Sequence, residues 1–475
     1  MKRQLSQKYN VPTIFTIFGA TGDLNKRKLL PALFDLYQKG FLPERIKIVG
    51  IGRRLFSDKE YRFFVKEALE NKKHKHSEKE LEDFLEHIVY HEGDFTKPES
   101  YKKLSKKLIS IEDDFGQCSN KLFYLAVAPV NYHTIFRQLA DSGLTIPCSF
   151  ETGWTRILVE KPFGEDIKTA HELDKILGLL FKEEQIFRID HYLGKETLQD
   201  ILMFRFSNLI FEPVWNNKYI EKVEILLHEE LGIEGRGVFY DKIGALRDVG
   251  QNHMLQMLSF VAMDNPGTLD GVAIRKERAK LLSSVESISK KEIKKNIIRG
   301  QYLGYRKEVG VNENSKTETY FKIKTFVNNK RWKGVPFYLE GGKGLKTKRT
   351  EINIHFKKTD KCLCPPELEQ NHANILTFKI QPDEGISIVF WTKKLGLTME
   401  LEPKKLSFSY LTEKTKFASA YEHILLDAIK GDQTLFTSTQ EVSAAWEFIT
   451  PILDNWKDLD LVEYKKGEEG FNIKI

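Results

Sequence analysis

The ten residues FRIDHYLGKE, from Phe187 to Glu196, carry side chains that could hold an anion beside a reacting carbon. His191 and Lys195 are four positions apart, so a helical turn would place both on one face. Gly194 allows the backbone to bend between them. With the phenol of Tyr192, the two cations could bind a phosphate through charge-assisted hydrogen bonds. A solvated turn is the alternative, and the spacing does not decide between the two.

A second histidine could act as a base. His253 opens an apolar helical pattern in DVGQNHMLQML, and Asp248 lies five positions earlier. Five residues correspond to about 500° of helical rotation, so the two side chains share no face of a regular helix. They could meet only if Asp248 lies in the turn before the helix. Asp248 could then bond one ring nitrogen and leave the other as a general base.

A lysine also follows an apolar strand pattern in RILVEKPFG. Lys161 would then lie at the carboxyl end of a strand, where open α/β sheets bind their ligands. The Lys161–Pro162 peptide bond could be cis, which the sequence leaves open. The spacing of histidines, cysteines and carboxylates shows no metal-ligand pattern, so we expect no metal.

A glycine turn lies where a dinucleotide fingerprint belongs, between a strand pattern and a helix pattern. The turn reads Gly19-Ala20-Thr21-Gly22-Asp23-Leu24-Asn25. The first glycine permits a tight turn, and the second lets the backbone approach a pyrophosphate at a helix N-terminus. The third fingerprint position, usually Gly or Ala, is Asn25. Alone the pattern is weak, because an ordinary glycine-rich turn could also produce it.

The end of the second strand pattern, in RIKIVGIGRR, favours a particular dinucleotide. Proteins that prefer NAD carry an acid there, which holds the ribose 2′-hydroxyl. Here the positions hold Arg53 and Arg54, whose guanidinium groups suit the 2′-phosphate of NADP. A pair of exposed surface arginines is the alternative.

These residues need elements that position them. Strand and helix patterns alternate up to about residue 190, which predicts right-handed βαβ units and a parallel sheet. Beyond about residue 200 the segments KVEILLHEE, TYFKIKTFV, EINIHFK and NILTFKIQP alternate apolar and polar residues, as antiparallel strands do. We therefore expect an α/β plus α+β chain. We expect residues 1–190 to form a Rossmann-like dinucleotide-binding domain, and residues 191–475 to form a larger substrate-binding and oligomerisation domain on a mostly antiparallel sheet.

The composition excludes several classes of protein. The chain has 475 residues, 41% hydrophobic and 30% charged, which suits a folded enzyme of two domains. Its net charge of 74 − 67 = +7 is too small to favour nucleic acid as a partner. No apolar run approaches the length of a membrane span, so we expect no membrane partner. The four cysteines form no zinc pattern and predict reduced thiols in a cytoplasmic protein.

Together these segments resemble the glucose-6-phosphate dehydrogenase family. The resemblance runs in the family's order over nearly the whole chain. Its most specific segments are RIDHYLGKE and RDVGQNH, and it is also carried by FGATGDLNKRKLLPALFDLY, RILVEKPFG, EGRGVFYDKIGALRDVGQNHMLQML, IRGQY, RWKGVPFYLEGGKGL and AYEHILLDAIKGDQTLF.

The resemblance implies oxidation of C1 of D-glucose 6-phosphate to 6-phospho-D-glucono-1,5-lactone, with NADP as hydride acceptor. This is the first step of the oxidative pentose phosphate pathway. It also implies a homodimer or homotetramer. By the family's pattern, His253 resembles the general base and Asp248 its orienting partner. The implied substrate residues are Lys161, His191, Tyr192, Lys195, Glu229, Asp248, Lys343, Lys348 and Gln381. The implied cofactor residues are Gly19, Ala20, Thr21, Gly22, Asp23, Leu24, Arg53 and Lys161.

Two alternatives remain open at this point. The first is a related sugar-phosphate dehydrogenase that uses NAD. The second is a non-catalytic homologue that has kept the fold, and such a homologue would be expected to lose at least one residue of the catalytic and binding set.

Overall fold

A computed structural model of the chain describes residues 10–70, 77–148, 153–359, 372–410 and 418–469. The strands are β1 Thr13–Phe18, β2 Ile46–Gly52, β3 Ile88–Glu92, β4 Asn120–Leu125, β5 Thr155–Glu160, β6 Ile186–Ile189, β7 Ile220–His228, β8 Ile297–Tyr302, β9 Tyr320–Phe326, β10 Pro336–Gly342, β11 Arg349–Phe356, β12 Ile375–Gln381, β13 Gly385–Lys393, β14 Leu401–Ser409, β15 Phe436–Thr437 and β16 Leu461–Tyr464.

The α-helices are α1 Leu30–Gln38, α2 Asp58–Glu70, α3 Glu78–Glu86, α4 Pro98–Phe115, α5 Tyr132–Asp141, α6 Ile167–Leu180, α7 Glu196–Phe206, α8 Gly237–Ala245, α9 Leu255–Ala262, α10 Gly271–Leu282, α11 Ile293–Asn296, α12 Ala420–Lys430 and α13 Thr439–Asp454. Two segments, Asn25–Leu29 and Leu246–Met254, wind with the wider turn of a π-helix. Among the described residues, no helix has both the length and the apolar character needed to cross a membrane.

The first sheet has seven strands in the order β15-β6-β5-β4-β1-β2-β3. Strands β1 to β6 are parallel, as the alternation of strand and helix patterns predicts. All six residues of β1 are buried because helices cover both faces of the sheet. Phe15 and Ile17 pack with α1 and α2, whereas Ile14 and Phe18 pack with α4 and α5. The carboxyl ends of these strands form one edge, toward which the predicted ligand-binding residues are directed.

The second sheet has nine strands in the order β14-β13-β12-β11-β7-β10-β9-β8-β16. Its pairs are antiparallel except β7 with β10 and β8 with β16, so the predicted mostly antiparallel sheet is confirmed. The alternation in β7 buries Val223, Ile225 and Leu227. Helix α7 packs on β12, and the π-helical segment Leu246–Met254 packs on β7 and β10. This packing brings the segment with the second histidine onto the sheet.

A late part of the chain returns to the first sheet. Ser419 caps helix α12, because its hydroxyl accepts the amide of Glu422, and the helix packs on α1. Strand β15 follows and pairs antiparallel with β6. The division into residues 1–190 and 191–475 stays a prediction, to which the structure adds this returning segment.

The prediction of reduced thiols is wrong for two cysteines, because Cys118 and Cys148 form a disulfide. Cys118 lies just before β4, and the amide of Cys148 donates to the carbonyl of Gly153, just before β5. Since β4 and β5 are parallel neighbours, their amino ends bring the two cysteines to a Cα–Cα distance of 6.3 Å. The other two cysteines, Cys362 and Cys364, lie outside the described residues.

Candidate active site

An open pocket of about 460 Å³ lies where the carboxyl ends of β5 and β6 face the second sheet. Every predicted substrate residue except Lys195 lines it, together with His253. The amine of Lys195 donates to Gln381 Oε1 at 2.8 Å, which places Lys195 beside the pocket. Sequence reasoning missed three polar residues that also line the pocket: Arg236, Arg247 and Asn252. The last two flank Asp248 and His253 in RDVGQNH, so the motif already contained them.

The buried imidazole of His253 is hydrogen-bonded to Asp190, not to Asp248. The distance from His253 Nδ1 to Asp190 Oδ1 is 2.5 Å, and both side chains are 2% exposed. Asp190 Oδ1 also accepts the amide of Tyr192 at 3.0 Å. The prediction that Asp248 orients His253 is therefore wrong. A proton on Nδ1, shared with Asp190, leaves the lone pair of Nε2 as the basic site.

The local winding of the chain explains where Asp248 and His253 lie. Both are in the π-helical segment Leu246–Met254, whose hydrogen bonds join residues five apart, so both reach the same pocket. Gly244, with a φ of 74°, precedes this segment, and a Cβ there would overlap the carboxylate of Glu318. Glu318 Oε1 accepts the amide of Leu246 at 3.0 Å and so fixes where the segment begins.

Asp248 is held by two lysines. The amine of Lys161 donates to the carbonyl oxygen of Asp248 at 2.7 Å and lies 3.3 Å from its Oδ1. Lys343 Nζ lies 3.4 Å from Asp248 Oδ2 and also forms an ion pair with Glu229. Burial alone would raise the pKa of Asp248, but Lys161 and Lys343 outweigh it and hold that pKa well below its usual range. Asp248 therefore remains a carboxylate that accepts hydrogen bonds.

Burial lowers the pKa of His253, and Asp190 opposes this shift without cancelling it. Burial would raise the pKa of Asp190, but the charge of His253 and its hydrogen bond lower it to about 2. The dyad therefore rests as a neutral imidazole beside a carboxylate at neutral pH, which is the state that a general base needs.

Cations gather at one end of the pocket, around Lys195. Burial lowers the pKa of Lys195, and the nearby charges of Lys348 and Lys28 lower it further, whereas Glu384 opposes them. Gln381 links this lysine to the phenol of Tyr192, which accepts its amide at 3.0 Å. Sequence reasoning missed Lys28, which is distant along the chain from the other cations. A cluster of cations around a partly buried lysine suits a bound anion.

The strand end that carries Lys161 is fixed from the opposite side by tyrosines. Tyr124 and Tyr421 donate to Glu160 Oε1 at 2.5 and 3.3 Å. Burial raises the pKa of Glu160 to about 7. Tyr421 lies on α12, so the returning helix supports the floor of the pocket. The Lys161–Pro162 bond beside it is cis.

The glycine turn has the geometry of a dinucleotide fingerprint. The φ of Gly19 is 84°, and a Cβ there would overlap the carbonyl of Ala126. The amide of Gly22 donates to the carbonyl of Gly19 at 2.8 Å, which closes the turn. Arg53 and Arg54 follow β2 and are exposed, at the strand end next to the turn. These residues fit a pyrophosphate beside a 2′-phosphate.

The remaining cofactor residues lie in or beside this turn. Ala20 is buried, and its amide donates to Ile51 of the neighbouring strand. Thr21 and Leu24 are half-buried. Asp23 forms an exposed ion pair with Arg27 at 2.8 Å.

One group of side chains has the proximity of metal ligands. Asp190, His191 and His253 place ligand atoms within 4.8 Å of one another. Two of these atoms are already joined in the Asp190–His253 hydrogen bond, and the ring of His191 meets that of His253 edge-on at 4.7 Å. We interpret the group as a hydrogen-bonded dyad with a histidine packed against it.

Comparison with known proteins identifies the family of the chain. The family models for the NAD binding domain and the C-terminal domain of glucose-6-phosphate dehydrogenase match residues 16–200 and 202–473. The chain belongs to the glucose-6-phosphate dehydrogenase family. It is 42% identical over 465 residues to the glucose-6-phosphate 1-dehydrogenase of Borreliella burgdorferi, covering 96% of this chain and 94% of that protein. The glucose-6-phosphate dehydrogenases are oxidoreductases, and the NAD binding domain indicates a nicotinamide dinucleotide cofactor.

Solved structures of the glucose-6-phosphate dehydrogenase family share the architecture. A glucose-6-phosphate dehydrogenase in complex with its substrate glucose-6-phosphate has a TM-score of 0.90 and 33% identity, over 98% of this chain and 97% of that one. The enzyme from Mycobacterium avium has a TM-score of 0.83 and 29% identity, over 97% and 96% of the two chains. The predicted fold class is therefore confirmed.

Proposed function

We propose that the protein oxidises C1 of D-glucose 6-phosphate to 6-phospho-D-glucono-1,5-lactone with NADP, the first step of the oxidative pentose phosphate pathway. The observation that carries this proposal is the neutral imidazole of His253, bonded to the Asp190 carboxylate, in the same pocket as a cation cluster. A base at one end and an anion site at the other fit a sugar whose reacting carbon lies far from its phosphate. The curated relatives and the substrate-bound structure support the same assignment.

In this proposal His253 removes the proton of the C1 hydroxyl. Nε2 takes the proton, and Asp190 stabilises the resulting imidazolium through the bond that it already makes to Nδ1. Negative charge on the C1 oxygen favours loss of hydride from C1. The bound nicotinamide supplies the hydride acceptor.

A chain of paired charges lines the sugar part of the pocket, and it consists of Lys161, Asp248, Lys343 and Glu229. Their carboxylates accept and their amines donate, so together they can bind several sugar hydroxyls in one orientation. Lys161 projects from the carboxyl end of the first sheet, so it can contact both sugar and nicotinamide. Holding C1 against the cofactor removes much of the entropic cost of the reaction.

The proposed phosphate site lies at the other end of the pocket. It consists of Lys195, His191, Tyr192, Lys348 and Gln381. Burial lowers the pKa of His191 well below its ordinary value, so His191 enters as a neutral donor rather than as a cation. The lysines supply the charge. Binding energy from this remote group can be used to position the reacting carbon.

NADP rather than NAD is the proposed cofactor. The support is Arg53 beside the glycine turn and the absence of an acidic residue at the two positions that follow β2. A sugar-phosphate dehydrogenase that prefers NAD remains the alternative. The non-catalytic alternative has little support, because Lys161, His191, Lys195, Asp248 and His253 are all present and surround one site.

An absorbance assay at the reduced-nicotinamide band tests substrate and cofactor together. We expect kcat/KM to be highest with glucose 6-phosphate and NADP, because this pair occupies both the cation cluster and the arginine segment. Galactose 6-phosphate and free glucose, each with NADP and with NAD, are the comparison substrates. Faster reduction of NAD would contradict the role of Arg53, and equal rates with free glucose would contradict the phosphate site.

The second sheet also supports the proposed assembly into a homodimer or homotetramer. Its edge strand β14 and the neighbouring strand β13 expose Phe390, Leu406 and Phe408 beside a groove of about 640 Å³. Contiguous exposed apolar surface of this kind marks an interface, and an isologous pair would cover it on both copies. A tetramer would need a further interface.

The double substitution Leu406→Glu and Phe408→Glu is expected to shift the protein to monomers, because it places charges in the apolar contact. Sedimentation velocity at micromolar concentration measures the change. Val130→Glu, on an even more exposed apolar residue of the first domain, is the control. An unchanged oligomer in the double variant would place the interface elsewhere.

A cytoplasmic location also stays a proposal. It rests on the small number of cysteines in a chain of this length. The Cys118–Cys148 disulfide weakens it, because such bonds are rare in the cytosol.

A further inference from the structure

Two buried tyrosines lie beneath the cofactor turn. Tyr61 projects from α2 and Tyr90 from β3, with ring centroids 4.8 Å apart. They are 0% and 4% exposed. Each phenol is hydrogen-bonded to a different backbone segment of the proposed cofactor site, so the pair connects two segments that are separate along the chain.

The first connection reaches the glycine turn. Asn25 Nδ2 donates to the carbonyl of Ala20, in the middle of the turn, at 2.6 Å and to the Tyr61 hydroxyl at 3.3 Å. The Tyr61 hydroxyl lies 3.4 Å from the same carbonyl. Asn25 is fully buried, at the fingerprint position where Gly or Ala is usual. The side chain at this position therefore makes hydrogen bonds that the methyl group of alanine or the hydrogen atom of glycine could not make.

The second connection reaches the arginine segment. The Tyr90 hydroxyl donates to the carbonyl of Arg54 at 2.9 Å. The amide of Tyr90 donates to Asp58 at 2.6 Å, at the start of α2. Since Arg54 follows Arg53 directly, the Tyr90 bond limits where the Arg53 backbone can lie.

Two glycines of β2 make room for the tyrosines. A Cβ at Gly50 would overlap the ring of Tyr61, and a Cβ at Gly52 would lie 2.8 Å from the Tyr90 hydroxyl. Gly50 and Gly52 are two positions apart in a strand, so both face the same side of the sheet. Any larger residue at either position would displace a tyrosine. The two glycines of GIG are therefore needed for the two phenols to occupy their places beside β2.

We infer that Asn25, Tyr61 and Tyr90 are positioning residues for the cofactor, with separate effects on its two phosphate sites. Asn25 and Tyr61 fix the turn that receives the pyrophosphate, which NAD and NADP share. Tyr90 fixes the arginine segment, which meets only the 2′-phosphate of NADP. This second part rests on the proposed use of NADP.

The chemistry of the phenols supports these roles. Burial raises the pKa of Tyr90 to about 12 and raises the pKa of Tyr61 further above its usual range. Both hydroxyls therefore keep their protons at neutral pH and serve as hydrogen-bond donors. Removing one such bond from a buried site typically changes an equilibrium constant, here the dissociation constant of the cofactor, by roughly 5- to 10-fold.

The first test replaces Asn25 with alanine, the residue that the fingerprint usually allows. We expect the dissociation constants of NADP and NAD, measured by titration calorimetry without sugar, to rise together by roughly 5- to 10-fold. The turnover at saturating cofactor should change by less than about twofold, because Asn25 touches none of the reacting groups. Unchanged affinity for both cofactors would overturn the role of Asn25.

The second test replaces Tyr90 with phenylalanine, which keeps the ring and removes only the bond to Arg54. The expected result is weaker binding of NADP by roughly 5- to 10-fold with NAD unchanged. The fragments 2′,5′-ADP and 5′-AMP give the same comparison without a nicotinamide. Equal losses for both fragments, or no loss for either, would overturn the separate role of Tyr90.

Tyr302→Phe is the matched control, because it removes a buried phenol that donates to Glu308 at 2.9 Å on the second domain. It should leave both cofactor constants unchanged, and loss of cofactor affinity there would count against the inference. The tests also separate this inference from the proposed function. If the unaltered protein bound 2′,5′-ADP no better than 5′-AMP, the NADP preference would fail, and Asn25→Ala would still decide the role of the turn.

Discussion

Replacing His253 with asparagine is expected to lower kcat by about 10²- to 10⁴-fold. The physical reason is that asparagine cannot accept the C1 hydroxyl proton, whereas its amide can still occupy much of the space of the ring. The KM for glucose 6-phosphate should change far less, since the phosphate and sugar contacts remain. Steady-state kinetics at saturating NADP measure both constants, and near-normal turnover would remove His253 from the role of base.

The two aspartates of the site provide the matched comparison. Asp190→Asn should also lower kcat strongly, because an amide at that position would no longer stabilise the imidazolium. Asp248→Asn should act mainly on the KM of the sugar, because Asp248 contacts Lys161 and Lys343 rather than the imidazole. If Asp248→Asn lowered kcat more than Asp190→Asn, the assignment of the dyad would be wrong.

The same assignment fixes the direction of the pH dependence. The active form of His253 is the neutral ring, which predominates above its pKa in the folded protein. Burial places that pKa below the ordinary value of about 6.5. We therefore expect kcat/KM, which reports the free enzyme, to show no loss from His253 near neutrality and to fall through this group only as the pH drops below about 6.5. An acidic limb centred above that value would be inconsistent with a buried imidazole as the base.

The partner of His253 shows what a linear pattern leaves undetermined. Asp190 and His253 are 63 positions apart, and their meeting depends on how β6 faces the second sheet. Spacing could test only the nearby Asp248, and the rotation argument assumed a regular α-helix. The π-helical winding of Leu246–Met254 changes that geometry, and its cause is tertiary: Gly244 and the buried Glu318 set where it starts. Long-range packing therefore determines both the hydrogen-bond partner of His253 and the winding of this segment.

The fold was more accessible to sequence reasoning than the site. The period-two and helical patterns predicted both sheets, because burial on one face imposes those periods. Strand β15 was missed because two residues carry no period. The disulfide was missed because its cysteines meet only after β4 and β5 pair. The glycine turn was predictable because one short segment builds it. Of the cation cluster, only the part around Lys195 comes from such a segment, and Lys28 was missed because it lies far away along the chain.

Replacing Lys195 with alanine is expected to lower kcat/KM for glucose 6-phosphate by roughly 30- to 1000-fold, which corresponds to about 2–4 kcal/mol. The reason is that Lys195 supplies a largely buried positive charge to an anion that would otherwise be desolvated without compensation. The constants for NADP should change by less than about twofold. Equal losses for sugar phosphate and cofactor would count against a phosphate site at Lys195.

Free glucose gives this prediction its sharpest test, because it lacks the group that Lys195 is proposed to bind. If the charge acts on the phosphate, Lys195→Ala should leave the slow oxidation of free glucose nearly unchanged while it weakens that of glucose 6-phosphate. Lys195→Met separates charge from volume: it keeps most of the length of the unbranched side chain without the charge and should behave like the alanine variant. A methionine variant with near-normal activity would mean that Lys195 acts by packing against Tyr192 and Gln381, and the anion would then have to be bound by Lys348 and Lys28.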